Sequence, residues 1–171
     1  MTALSGIIAA SRVRGGAAAM GEPFLQSFTP ASTRSDFSGY VGYSFIVGGT
    51  DITVNALGRW KLSGNTGSRA VKITNLSGTE IASASVDLDA ATVGDWAAAT
   101  ITPVTLTAGG SYAIQSLEVS GGNTWYNVST FTVAGIAGTI RTRYASNGSA
   151  TWADVDYIAD FMYVPSTFFF E

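Results

Sequence analysis

Aromatic and amide side chains are the residues whose types and spacing best fit ligand binding in this sequence. Sugar rings present apolar C–H faces that stack on Trp and Tyr, while their hydroxyl groups hydrogen-bond to Asn, Asp or Arg. Adjacent strand residues face opposite sides of a sheet, so only one of two neighbouring aromatic residues lines a given face. We predict a ligand-binding set of Trp125, Tyr126, Asn127 and Trp152, each near a glycine-containing turn. The alternative is that the four tryptophans, Trp60, Trp96, Trp125 and Trp152, fill the core or its rim.

The sequence contains few residues suited to catalysis. The 171 residues include no His and no Cys, which removes the usual nucleophilic triads and thiol nucleophiles. A glycosidase needs only two carboxylates, one on each side of the scissile bond. Glu80 lies beside a predicted hairpin and Glu118 on a predicted strand, so we expect both on solvated faces. We therefore predict no enzymatic activity and no catalytic residue.

Two groups of aspartates are the remaining candidates for a metal site. Calcium takes six to eight oxygen ligands, and loop carboxylates supply such oxygens. Neither group has the spacing of a dedicated calcium loop, so solvated loop acids are the favoured interpretation. We predict no cofactor, with a structural calcium ion as the alternative. The two groups are Asp87, Asp89 and Asp95, and Asp154, Asp156 and Asp160.

Charge and hydropathy limit the partners of the chain. Charged residues make up 12% of the sequence, about half of the ~25% typical of soluble domains. The net charge of -3 and a pI near 4.8 disfavour nucleic-acid binding. No apolar run approaches the ~20 residues of a membrane span. The apolar N-terminal stretch precedes Arg12 and Arg14, the reverse of an export signal. We expect synthesis in the cytoplasm without export.

The two ends of the sequence predict assembly into a larger particle. Leu4, Ile7 and Ile8 have the spacing of an amphipathic helical turn, and a docked N-terminal arm is favoured over a frayed tail. The aromatic C-terminal run either folds back onto its own domain or packs on a neighbouring subunit. The second possibility, together with the low charge, predicts an assembly anchor. Its residues are Leu4, Ile7, Ile8, Arg12, Arg14, Phe168, Phe169 and Phe170.

Short strands dominate the body of the chain. From about residue 37 onward, apolar and polar residues alternate, and turn residues recur every 8–12 positions or so. This pattern predicts roughly eight to ten strands and an all-β fold, an antiparallel β-sandwich of jelly-roll type with a short N-terminal arm. We divide the chain into an arm and lead-in (1–34), a sandwich domain (35–165) and an aromatic C-terminal tail (166–171).

Part of this body resembles a known module. The resemblance begins with Ile52-Thr53-Val54-Asn55-Ala56-Leu57-Gly58 and Ser63-Gly64-Asn65-Thr66-Gly67, and it ends with Pro103-Val104-Thr105-Leu106-Thr107-Ala108-Gly109-Gly110-Ser111-Tyr112. These motifs resemble a jelly-roll module of large bacterial surface and exported proteins. The resemblance implies a non-catalytic, carbohydrate-binding-like sandwich. Because the motifs are strand and turn chemistry, they specify fold better than function.

A surface-type sandwich made without an export signal suits a virion protein, because such proteins are made in the host cytoplasm and released by lysis. We therefore predict a non-enzymatic structural protein of a tailed-bacteriophage virion, a capsid decoration, fibre or spike subunit. The alternative is a carbohydrate-binding module or adhesin for cell-surface glycans. The expected partners are other virion proteins, copies of the same chain and, in the alternative, surface glycans.

Overall fold

The computed structural model describes residues 8–9, 20–135, 137–146 and 162–171, and these residues form an all-β fold. β-Branched and aromatic residues alternate with small polar ones along most segments, which suits strands with one buried face. All the described strand pairs are antiparallel. The strands are β1 (Ile8–Ala9), β2 (Glu22–Pro23), β3 (Leu25–Arg34), β4 (Gly39–Val47), β5 (Ile52–Trp60), β6 (Ser68–Asn75), β7 (Glu80–Asp87), β8 (Trp96–Leu106), β9 (Ser111–Glu118), β10 (Trp125–Val133), β11 (Gly138–Ser146), β12 (Met162–Val164) and β13 (Ser166–Phe170).

The described strands form three sheets. Sheet A has the order β1-β3-β10-β12, sheet B the order β2-β13-β5-β8, and sheet C the order β11-β4-β9-β6-β7. Sheets A and B together form one layer, because β2 meets β3 across Phe24 and β12 meets β13 across Pro165. Sheet C is the other layer, and the core cluster draws side chains from all three sheets. The predicted all-β sandwich is confirmed, and its form is compatible with a jelly roll.

The C-terminal phenylalanines lie inside this sandwich. β13 is a central strand of sheet B, and Phe168 stacks on Phe24 with ring centroids 4.7 Å apart. The exposed fractions of Phe168, Phe169 and Phe170 are 0%, 1% and 6%. Burying three phenylalanines in the chain's own core removes them from any surface that a neighbouring subunit could cover. This corrects the prediction that they anchor an assembly, and the fold-back alternative describes their packing.

Only a small part of the N-terminal arm is described. Ile8 and Ala9 form a short strand opposite Phe28 and Ser27 of β3, whereas the sequence predicted a helical turn at Ile8. Hydrogen bonding to a sheet edge outweighs the weak helical preference of so short a segment. Of the other predicted anchor residues, Leu4, Ile7, Arg12 and Arg14 lie outside the described residues.

Sheet strands extend beyond both predicted domain boundaries. β2 and β3 precede residue 35, and β13 follows residue 165. Gly21 shows how closely the two outer segments pack, since a Cβ there would lie 2.3 Å from the carbonyl oxygen of Phe170. Its φ of +79° is also one that glycine adopts readily. The lead-in and the tail are thus neighbours within sheet B.

Candidate functional site

The predicted aromatic ligand set is divided between two faces of sheet A. Tyr126 faces the core, where its ring lies 6.0 Å from that of Phe28. Burial raises the pKa of the Tyr126 phenol. Asn127 faces the opposite side, where its amide nitrogen donates to Ser32 Oγ at 3.1 Å. The alternation expected from adjacent strand positions therefore separates Tyr126 from Asn127.

Trp125 shares the outward side with Asn127 by strand alternation, yet it is buried. Its exposed fraction is 1%, and its indole N–H has no hydrogen-bond partner among the described residues. A ring buried to this extent offers no face on which a sugar could stack. The alternative reading, in which this tryptophan packs inside the protein, describes Trp125 better, as it does the core residues Trp60 and Trp96. Trp152 lies outside the described residues.

Arg34 joins Asp36 and Tyr163 on this side of sheet A. Arg34 makes a paired hydrogen bond to the carboxylate of Asp36, with both N–O distances at 2.8 Å. Its third nitrogen donates to the hydroxyl of Tyr163 at 2.7 Å, and its guanidinium lies 5.1 Å from the centroid of that ring. The hydrogen bond from Arg34 lowers the pKa of Asp36, and the same bond raises the pKa of Arg34. We call Ser32, Arg34, Asn127 and Tyr163 the sheet A polar face.

A buried ion pair joins the two layers at one end of the sandwich. Arg59 of β5 donates from Nε to Glu118 of β9 at 2.9 Å, and both side chains are fully buried. Arg59 also donates to the carbonyl oxygens of Trp60 and Thr124. Burial lowers the pKa of Arg59, while the charge of Glu118 opposes that shift. Arg69 lies 3.9 Å from the second carboxylate oxygen.

The structure contradicts the expected solvated position of Glu118 and agrees with that of Glu80. Glu118 was expected on a solvated face, but its exposed fraction is 1% because Arg59 reaches it from the facing sheet. A single sequence contains no signal that couples positions 59 and 118. Glu80 is exposed as expected, with its carboxylate accepting from Ser83 Oγ at 2.6 Å. Glu118 is engaged with Arg59 and Ser116.

Two asparagines connect the β5–β6 loop to the β9–β10 loop beside this ion pair. The amide of Asn65 accepts from the N–H of Thr124 and donates to its carbonyl oxygen. Reciprocally, the amide of Asn123 accepts from the N–H of Thr66 and donates to its carbonyl oxygen. Each side chain thus pairs with a peptide unit as a neighbouring strand would. The two turns hold the start of β10 against the end of β5.

A cleft opens between β7 and β8, at the side where sheets B and C meet. Its volume is about 380 Å³. We call it the β7–β8 cleft. In the described part of the chain, none of the side chains that line it is charged or aromatic. The lining residues are Ile81, Ala82, Ser83, Ala84, Ser85, Ala99, Thr100, Ile101, Thr102 and Val104.

The first group of aspartates serves local backbone contacts. Asp89 accepts from the N–H of Gly67, Asp87 from that of Asp89, and Asp95 from that of Trp96. Within the described ranges, no three acidic residues converge in an arrangement that could hold a metal ion. Asp154, Asp156 and Asp160 lie outside those ranges. The described residues also include no helix with the length and hydropathy of a membrane span.

The functional candidates that sequence reasoning missed are Arg34, Asp36, Tyr163 and the lining of the β7–β8 cleft. Arg34 and Asp36 are two residues apart, so their pairing had a local signal, whereas Tyr163 reaches them only through the order of strands in sheet A. Comparison with protein-family models, with curated proteins and with solved structures gives no match to this chain. The observations on the chain itself therefore carry the functional argument.

Proposed function

We propose that this chain is a non-enzymatic structural protein of a tailed-bacteriophage virion, a capsid decoration, fibre or spike subunit whose sandwich faces outward. The observation that carries the assembly role is the β7–β8 cleft, where two strands lie side by side at the margin of the sandwich over an uncharged lining. Natural proteins usually protect such strand edges, so an accessible one suits a subunit that meets a partner. The virion itself is inferred from the sequence, through its low charge and its resemblance to a surface-type module.

Immunogold labelling tests the location directly. Antibody raised against the purified chain should label particles released by lysis of the cells that make it. Gold confined to free protein, with unlabelled particles after density-gradient purification, would overturn the proposal.

A truncated chain that lacks residues 1–19 tests the arm. We expect it to keep the β2–β13 pairing and the folded sandwich but to lose attachment to particles, because Arg12 and Arg14 belong to the predicted anchor. Undiminished attachment of the folded, truncated chain would show that the arm is not the anchor.

A carbohydrate-binding module is the second candidate, and the sheet A polar face favours it. Arg34, Asn127 and Ser32 place hydrogen-bonding groups beside the half-buried ring of Tyr163, a combination that suits sugar hydroxyls and C–H faces. Because Asp36 balances the charge of Arg34, this face suits neutral glycans.

Glycan-array binding of the full chain tests the second candidate. Binding should fall at least about tenfold in Tyr163→Ala, through loss of a stacking ring. Lys72→Ala is a matched control, because Lys72 is a half-buried cation over an aromatic ring on sheet C. Absence of glycan binding by the wild-type chain, or equal loss in both variants, would remove this candidate.

A further inference from the structure

The two strand edges at the β7–β8 cleft differ in how well they are protected. β8 has a bulge where it pairs with β5. Thr100 and Val104 of β8 lie opposite Ala56 and Val54, so residues 101–103 together face only residue 55 of β5, and Pro103 lies in this bulge. Bulges and prolines block the addition of another strand. In β7, pairing with β6 is regular from Ala82 to Asp87. β7 therefore has the more receptive edge.

Hydrogen-bond alternation identifies the groups on that edge. The N–H of Leu88, just beyond β7, donates to the carbonyl oxygen of Gly67 at 3.0 Å, so the N–H of Leu88 points toward β6. Along an antiparallel strand, successive residues direct their N–H and C=O groups to opposite sides. Ala84 and Val86 therefore bond to β6, whereas Ser83 and Ser85 present their peptide groups away from it. Within the described part of the chain, no strand pairs with β7 on this side.

The charges around this edge define the chemistry of an occupant. The cleft lining is uncharged, but exposed carboxylates stand at both ends of β7, Glu80 and Asp87. Neither carboxylate takes part in an ion pair with a described residue. A second copy of β7 is a poor occupant, because two-fold antiparallel pairing would bring the Glu80 end of each strand beside the Asp87 end of the other, so that carboxylates of like charge approach one another at both ends.

We propose that the β7 edge binds an extended peptide segment of a different virion protein, about eight residues long, with small uncharged residues in its centre and Lys or Arg at each end. The segment adds to sheet C as a sixth strand at the mouth of the β7–β8 cleft. Small side chains are required because β8 lies close by. The basic ends meet Glu80 and Asp87, about 23 Å apart along an extended strand. This inference rests on the proposed assembly role and names the partner class.

Synthetic peptides test the proposal on the full chain. The first probe is the acetylated, amidated octapeptide Lys-Thr-Ala-Thr-Ala-Thr-Ala-Lys, and the second replaces both lysines by glutamate. Titration followed by amide NMR shifts should show binding of the first at Ser83 and Ser85. We expect the second to bind at least about fivefold more weakly, because two attractions become repulsions. Equal affinities, or no shift at these two amides with the first probe, would overturn the proposal.

Charge reversal supplies the matched variants. Glu80→Lys with Asp87→Lys should reverse the preference between the two peptides, whereas Glu22→Lys, on the opposite edge strand of sheet B, should leave it unchanged. Ser85→Pro should weaken binding of the lysine peptide, because it removes an N–H that points away from β6. Thermal unfolding verifies that each variant is folded. If the peptides do not bind but the immunogold experiment labels particles, the β7 edge is not the docking site, while the virion location is still supported.

Discussion

Neutralising Glu118 is the sharpest test of how the two layers are held together. In Glu118→Gln, the amide oxygen can still accept from Arg59 Nε, so the shape of the site is kept while the negative charge is lost. Arg59 then remains as a fully buried cation whose acceptors among the described residues are all neutral: the introduced amide oxygen and the carbonyl oxygens of Trp60 and Thr124. Removing one partner of a buried ion pair typically costs about 3–5 kcal/mol. That cost is a large part of the stability of an ordinary domain.

Equilibrium urea unfolding followed by tryptophan fluorescence measures this loss. With a slope of about 2 kcal/mol per molar urea, the expected loss lowers the midpoint by about 2 M. Asp36→Asn is the matched control, because it neutralises an acid of the exposed Arg34–Asp36 pair and should cost less than about 1 kcal/mol.

A double-mutant cycle with Arg69 tests the same buried ion pair. Arg69 approaches the same carboxylate and is partly exposed, so Arg69→Gln alone should have a small effect. In the Glu118→Gln background it should be favourable or neutral, since it removes a cation that lowers the pKa of Arg59. A loss below about 1 kcal/mol for Glu118→Gln would refute the view that Arg59 stays charged and depends on this partner.

Three further substitutions address other parts of the core. Phe168→Ala should cost about 3–5 kcal/mol in urea unfolding, because it leaves a cavity among stacked rings; a loss under about 1 kcal/mol would place this side chain outside the core. Tyr43→Phe should cost no more than about 1.5 kcal/mol at pH 7, because the buried hydroxyl gives up at most one hydrogen bond, to Thr167. Burial raises the pKa of Tyr43, so the folded state keeps a proton that the unfolded state releases above about pH 10, and stability falls with rising pH there. Tyr43→Phe should lessen this alkaline loss, and an unchanged pH dependence would contradict the assignment. Asn65→Ala should cost about 1–3 kcal/mol by leaving the N–H of Thr124 unpaired, and an unchanged unfolding midpoint would show that water replaces the amide.

Local pattern predicted much of the β architecture. Gly64, Asn65 and Gly67 lie in the turn between β5 and β6, and Asn75 and Gly78 lie at the hairpin between β6 and β7. β10 ends at Val133 and β11 begins at Gly138, with Gly135 between them, and Pro103 lies on β8, an edge strand of sheet B. These features depend on backbone conformations and hydrogen bonds set by neighbours in sequence, so a single sequence reveals them.

The outer strands show where that approach ends. From the sequence we assigned the residues of β3 to the lead-in and not to the sandwich. The segment Thr29-Pro30-Ala31-Ser32-Thr33 has little of the apolar alternation that predicts a strand. Its partner β10 supplies the hydrogen bonds that make it a strand, in a register interrupted by several irregularities. The sequence likewise left two alternatives open for the aromatic tail, and the pairing of β13 with β5 decided between them.

For the candidate sites too, some features follow from local sequence and others from contacts between distant residues. The amino-acid sequence by itself determined that the chain is a charge-poor, all-β protein without His or Cys, because composition and period-two alternation are properties of the chain alone. Tertiary structure decided that Trp125 is buried, that Glu118 meets Arg59, and that the edge of β7 borders an uncharged cleft. Each of these depends on which strands become neighbours across a sheet or between layers. Contacts between residues far apart in sequence leave no periodic signal in either segment.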